Sequence, residues 1–103
     1  MQAVIHKTSN MKTFNYKGTE VSLQKSAYRN GTVALVMDNL DGELYGVVTV
    51  NLCHPLQSDS MAFLDENNFP GIGKWIEDNN LGIRMGYSAP SGFCTYPLFT
   101  LFL

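Results

Sequence analysis

Residues 32–52 read TVALVMDNLDGELYGVVTVNL, two runs of β-branched and apolar residues that meet at Leu40-Asp41-Gly42. A period of two on both sides of an Asp-Gly pair is the pattern of an antiparallel hairpin. With Asp41-Gly42 as a two-residue turn, Val33 faces Val50, Leu35 faces Val48 and Met37 faces Gly46, and this side is predicted to be the core side. Tyr45, Val47, Ala34 and Val36 then fall on a second face, which is partly covered or forms a contact surface.

Upstream, Phe14 and Tyr16 precede Lys17-Gly18, and Val21 and Leu23 follow on one parity, the pattern of another half-buried strand pair. The return to Val33 passes through Arg29-Asn30-Gly31. A two-residue turn at Asn30-Gly31 sends Val21 and Leu23 away from the core, whereas a three-residue loop, Arg29 to Gly31, keeps them on it. A bulged turn with Gly31 in the left-handed region is therefore predicted, and residues 12–52 read as a four-stranded antiparallel meander. Residues 1–10, MQAVIHKTSN, read as a loosely held leader to a single domain over 11–103.

Downstream, a polar connector (53–60) leads to Met61-Ala62-Phe63-Leu64, a short strand or a buried anchor. A helix is predicted from Pro70 to Asn80. Asn67-Asn68 offer capping oxygens, Pro70 suits the first turn, and Ile72, Trp75 and Ile76 form an apolar stripe that docks on the sheet, with Trp75 as its anchor. Ile83–Tyr87, a turn at Ser88–Gly92 and Phe93–Leu103 read as a last hairpin. Both parities of its final strand are apolar, so that strand lies centrally in the sheet or in a subunit interface, the second case making a homodimer. The expected fold class is α+β: an antiparallel sheet of four to six strands with one helix on one face.

At 103 residues the chain holds one core, too little for the two-domain layouts of most cofactor-using enzymes. Hydrophobic residues at 45% exclude global disorder, and a net charge of −2 matches neither a dedicated nucleic-acid binder nor a polyanionic mimic. Direct nucleic-acid binding is not indicated. Charge is nevertheless unevenly spread. Through residue 36, Lys7, Lys12, Lys17, Lys25 and Arg29 stand against Glu20 alone. After it, Lys74 and Arg84 stand against Asp38, Asp41, Glu43, Asp59, Asp65, Glu66, Glu77 and Asp78. The plain reading is a set of solvated acidic loops; the functional one is an acidic face for a basic partner. On the second reading the partner-binding candidates are Asp65, Glu66, Glu77 and Asp78 around the helix, with Asp41, Glu43 and Tyr45 on the central hairpin.

No catalytic constellation emerges. Cys53-His54, with His6 and Cys94 elsewhere, lacks the paired spacing of zinc ligands, and Cys94 lies among aromatics that do not activate a thiolate. Gly71-x-Gly73 lacks the rest of a phosphate loop and fits a helix start lying close to a neighbouring strand. No enzyme activity, metal or cofactor is expected. The longest apolar stretch, Tyr96–Leu103, is too short for a membrane helix, and two cysteines without a signal-peptide pattern point to a cytoplasmic protein.

The stretch AFLDENNFPGIGKWIEDNNLG (62–82) followed by SGFCTYPLFTLF (91–102), with NYKG at 15–18 and YGVVTVNL at 45–52, resembles small proteins of unassigned function carried on plasmids, conjugative elements and prophages of Gram-positive bacteria. The resemblance covers about Met11 to Leu103. Some type II anti-CRISPR proteins are similar to this family in length and pattern. The resemblance implies an inhibitor of a type II CRISPR effector nuclease that blocks guide RNA loading or target DNA binding; the alternative is an adaptor of a mobile element, for example in antirestriction, acting on another host protein.

Overall fold

The computed structural model describes residues 12–52, 56 and 58–103. The predicted leader, together with Cys53, His54 and Pro55, lies outside the described residues. The elements in chain order are β1 (Thr13–Tyr16), β2 (Thr19–Ala27), β3 (Val33–Asn39), β4 (Leu44–Val47), β5 (Thr49–Val50), β6 (Met61–Leu64), α1 (Ile72–Asp78), β7 (Gly82–Ser91) and β8 (Cys94–Leu101). The strands form two antiparallel sheets of four, ordered β1-β2-β3-β4 and β5-β6-β8-β7, so the α+β expectation holds with the strands divided between two sheets.

The first sheet is the predicted meander, and turn chemistry sets its register. Tyr16 faces Thr19 across Lys17-Gly18. Between β2 and β3 the loop is Arg29–Gly31: the Tyr28 N–H donates to the Thr32 carbonyl, the Gly31 N–H to the Tyr28 carbonyl, and Gly31 has φ 86. A residue without Cβ takes that conformation at no steric cost. Leu23 accordingly faces Met37, and Val21 and Leu23 join the core side.

The β3–β4 turn departs from prediction. The Asn39 N–H donates to the Glu43 carbonyl and the Gly42 N–H to the Asn39 carbonyl, so the loop has three residues, Leu40–Gly42, instead of two. The Asn39 side chain holds it, its Oδ1 accepting from the N–H groups of Asp41 and Glu43. The pairing starts one residue out, with Asp38 opposite Leu44. A bulge then restores it, so Met37 faces Gly46 and Val36 faces Val47 as predicted. Tyr45 is the extra residue of that bulge. It leaves the predicted outer face and meets the buried Tyr16 ring edge-on at 5.8 Å.

The predicted strand ending at Leu52 divides at Val48, whose N–H donates to the Leu35 carbonyl while its own carbonyl accepts from the Asp65 N–H. One residue thus bonds to both sides of the junction. Val50 consequently faces Phe63 in the second sheet and not Val33 in the first. In that second sheet β8 is central, the first of the two predicted placements. Phe99 and Leu101 point inward to a continuous core with Val21, Leu35, Met37, Val48, Ala62, Leu64, Ile72 and Ile76. Leu98 belongs to a smaller outer cluster with Phe63 and Ala89. Each fully buried aliphatic or aromatic side chain adds roughly 1.5–3 kcal/mol.

The last turn is Gly92-Phe93, since Ser91 faces Cys94, and not the predicted Ser88–Gly92. Pro90 sits inside β7, which an edge strand tolerates because half its N–H groups have no ladder partner to lose. The helix spans Ile72–Asp78, shorter than the predicted 70–80. It closes as predicted at Asn79-Asn80: Asn80 has φ 58, its N–H donates to the Glu77 carbonyl, and the Leu81 N–H reaches the Ile76 carbonyl.

Candidate partner-binding surface

The seven predicted contact residues fall in two places. Around α1 the carboxylates are engaged within the fold. Asp65 is buried, and its oxygens accept from the Asn68 backbone N–H and the Asn68 side-chain amide. Glu66 accepts from the N–H of Gly71 at 3.0 Å and of Gly73 at 2.7 Å, groups that a helix start leaves without intrahelical partners. The predicted cap was Asn67-Asn68, but Asn68 is turned back onto Asp65, and a glutamate upstream does the work instead. Glu77 accepts from the Arg84 N–H on β7, covering a donor on an exposed edge. Asp78 pairs with Lys74 at 2.9 Å, and this contact raises the Lys74 pKa, by hydrogen bonding first and charge second.

The helix lies tight against its sheet at Gly73, as the Gly71-x-Gly73 spacing predicts. A Cβ there would stand 2.6 Å from an Arg84 guanidinium nitrogen and 2.8 Å from the Phe99 ring. Arg84 in turn lies over Phe99, 4.8 Å from its centroid. Trp75 is the predicted anchor, though half-buried. Its Nε1–H donates to the Asn15 carbonyl at 2.7 Å, and its ring meets Phe14 and Tyr16 edge-on. Burial pushes the Tyr16 hydroxyl pKa upward, with smaller contributions from Tyr45 and Glu66.

The β3–β4 hairpin differs. Among the described residues, the carboxylates of Asp41 and Glu43 accept no hydrogen bond and pair with no cation; their backbone N–H groups donate to the Asn39 side chain, and the Glu43 carbonyl accepts from the Asn39 N–H. Beside them Leu40 is 54% exposed, Leu44 63% and Tyr45 41%. Leu40 and Leu44 were not singled out by sequence reasoning. The signal available was an apolar residue on each side of Asp41-Gly42-Glu43, which periodicity alone assigns to strand ends. Two carboxylates without a partner among the described residues, with exposed apolar residues next to them along the chain, can meet a cation and help exclude water around it.

Among the described residues no three His, Cys, Asp or Glu side chains are grouped to hold a metal ion. His6, Cys53 and His54 lie outside those residues, so the Cys53-His54 and Cys94-His54 arrangements do too. No helix among the described residues is long and apolar enough to cross a membrane.

A family model described as a domain of unknown function, DUF4313, matches residues 20–103. The chain belongs to this family. No curated protein and no solved structure matches it. The DUF4313 match takes in the β3–β4 hairpin, the Glu66 cap and α1, whereas β1, which receives the Trp75 hydrogen bond, precedes it.

Proposed function

We propose that this protein acts without catalysis, by binding another protein, and that its partner is a type II RNA-guided DNA nuclease whose guide or target channel it blocks in the bacterial cytoplasm. Membership of DUF4313 carries no activity with it. The reading is supported by the sequence resemblance and by one structural observation, the Asp41 and Glu43 carboxylates on the β3–β4 hairpin, unengaged among the described residues and beside exposed Leu40, Leu44 and Tyr45. Such nucleases hold RNA and heteroduplex in channels lined by arginine and lysine. Carboxylates placed there compete with phosphates for the same cations. A net charge of −2 is too small for long-range mimicry of DNA, so specificity rests on local contact, with the apolar residues supplying the desolvated centre.

The test is DNA cleavage by the nuclease with this protein added before guide RNA, after guide RNA, or after target. Protection only on first addition means interference with guide loading. Protection until target is added means competition for DNA. No protection in any order, across several type II nucleases, removes the reading and leaves an adaptor for another host protein, to be sought by pull-down from host cytosol.

A further inference from the structure

The chain turns twice at one end of the first sheet. Strands β1 and β3 run in the same direction, with Tyr16 facing Thr19 and Val21 facing Asn39, so Lys17-Gly18 and the Leu40–Gly42 loop lie side by side, two strand spacings or about 10 Å apart. Side chains join them. The Lys17 Nζ stands 5.5 Å from the Tyr16 ring centroid, and the Tyr16 ring meets that of Tyr45 at 5.8 Å. Lys17 therefore borders the surface that carries Asp41, Glu43 and Tyr45. The other cations of this sheet are elsewhere: Lys12 precedes the far end of β1, Arg29 lies in the turn at the opposite end, and Lys25 donates to the Leu103 carbonyl.

The backbone at Lys17 is strained. Lys17 has φ 49 and Gly18 φ 87, the paired left-handed conformation of a two-residue hairpin turn that favours Asn, Asp or Gly at its first position. Little within the fold repays a lysine there. Among the described residues no carboxylate pairs with it, and Glu20 on β2 accepts from the Thr13 hydroxyl instead. The Tyr16 ring steadies the exposed ammonium and leaves its N–H donors to solvent. A strained residue with an unpaired charge at the rim of a contact surface points to a use outside the fold.

That surface thus carries both signs. A nuclease channel empty of nucleic acid is lined by cations, which suit Asp41 and Glu43 and repel Lys17. Once guide RNA lies in it, phosphates stand among those cations, and both signs find a counterpart. Resting on the nuclease reading above, we infer that this protein recognises the nuclease already loaded with guide RNA: Lys17 takes a backbone phosphate of the RNA, while Asp41 and Glu43 take neighbouring arginines or lysines of the nuclease. It then blocks target DNA and leaves guide loading alone.

Equilibrium binding of the full chain to a purified type II nuclease, alone and loaded with guide RNA, tests this. The loaded form is expected to bind about tenfold or more tightly than the free nuclease. Lys17→Asn suits the left-handed turn, so it should fold as the parent does, lose most of that preference and lower the salt dependence of log Kd by about one, whereas Lys17→Arg should keep both. Equal affinity for the two forms overturns the inference and leaves the nuclease reading standing. So does a Lys17→Asn variant that keeps the preference, or one that weakens binding to both forms alike, which would set Lys17 against a protein carboxylate. Binding to neither form, across several type II nucleases, removes the nuclease reading and this inference with it.

Discussion

The carboxylates around α1 and those on the β3–β4 hairpin have the same chemistry and opposite employment. Asp65, Glu66 and Glu77 each accept from backbone N–H groups that would otherwise lack partners, and Asp78 is held by Lys74. Asp41 and Glu43 have their N–H groups satisfied by Asn39 and their carboxylates unengaged among the described residues. The difference lies in neighbouring backbone. A helix start and a sheet edge present orphan donors that draw in an acid, whereas a tight turn closed by an asparagine has none left to offer. The excess of acids after residue 36 therefore overstates the negative charge available to a partner.

The comparison can be broken most forcefully at the helix. Trp75→Ala removes a hydrogen bond to β1 and two ring contacts, and is expected to cost about 2–4 kcal/mol in urea denaturation, because the ring is only half-buried. An unchanged midpoint would mean that α1 is not anchored there. Glu66→Ala leaves two helix-start donors without their acceptor, for an expected loss of about 1–3 kcal/mol. Glu66→Gln keeps an acceptor oxygen and should recover part of it.

Tyr16 sharpens the contrast through pH. Its pKa is raised in the fold, chiefly by burial, so the unfolded chain releases the proton first. The stability tied to the neutral hydroxyl is complete below about pH 10, the unfolded value, and is lost as pH rises through the higher folded value. Tyr16→Phe should flatten the alkaline fall in denaturation midpoint; an equally steep fall would place the titrating group elsewhere. The smallest effect is expected at the exposed Lys74–Asp78 pair, where Lys74→Ala should leave the melting midpoint unchanged within error.

Much of this was legible in the sequence where a single local constraint decides. Gly31 and the parity of Val21 and Leu23 together admit only the three-residue loop that is found. The doubly apolar parity of 93–102 asked for cover on both faces, and the strand has it along its middle, with Phe99 and Leu101 in the main core and Leu98 in the second cluster under Leu52 and Leu56, whereas Phe93 and Phe102 at its ends are exposed. What escaped depended on compensation between segments. The β3–β4 loop gains a residue and a bulge at Tyr45 returns it, so pairing further along is correct although the turn is not. Ser88–Gly92 reads as a turn by composition, yet an edge strand accepts Pro90 and the chain reverses at Gly92-Phe93 instead. Of the site, Asp41, Glu43 and Tyr45 were visible as acids and an aromatic on a hairpin. That Asp65 is buried and Glu66 folds back onto Gly73 depends on loop geometry that spacing does not encode.

The most direct test of the hairpin as the contact surface is nuclease protection by the double charge reversal Asp41→Lys/Glu43→Lys, assayed beside the parent at equal concentration. These exposed side chains have no internal partners among the described residues, so stability should change by no more than about 0.5 kcal/mol. Target DNA is expected to be cleaved as though no inhibitor were present. Full protection by the folded variant would contradict the assignment of the contact to Asp41 and Glu43.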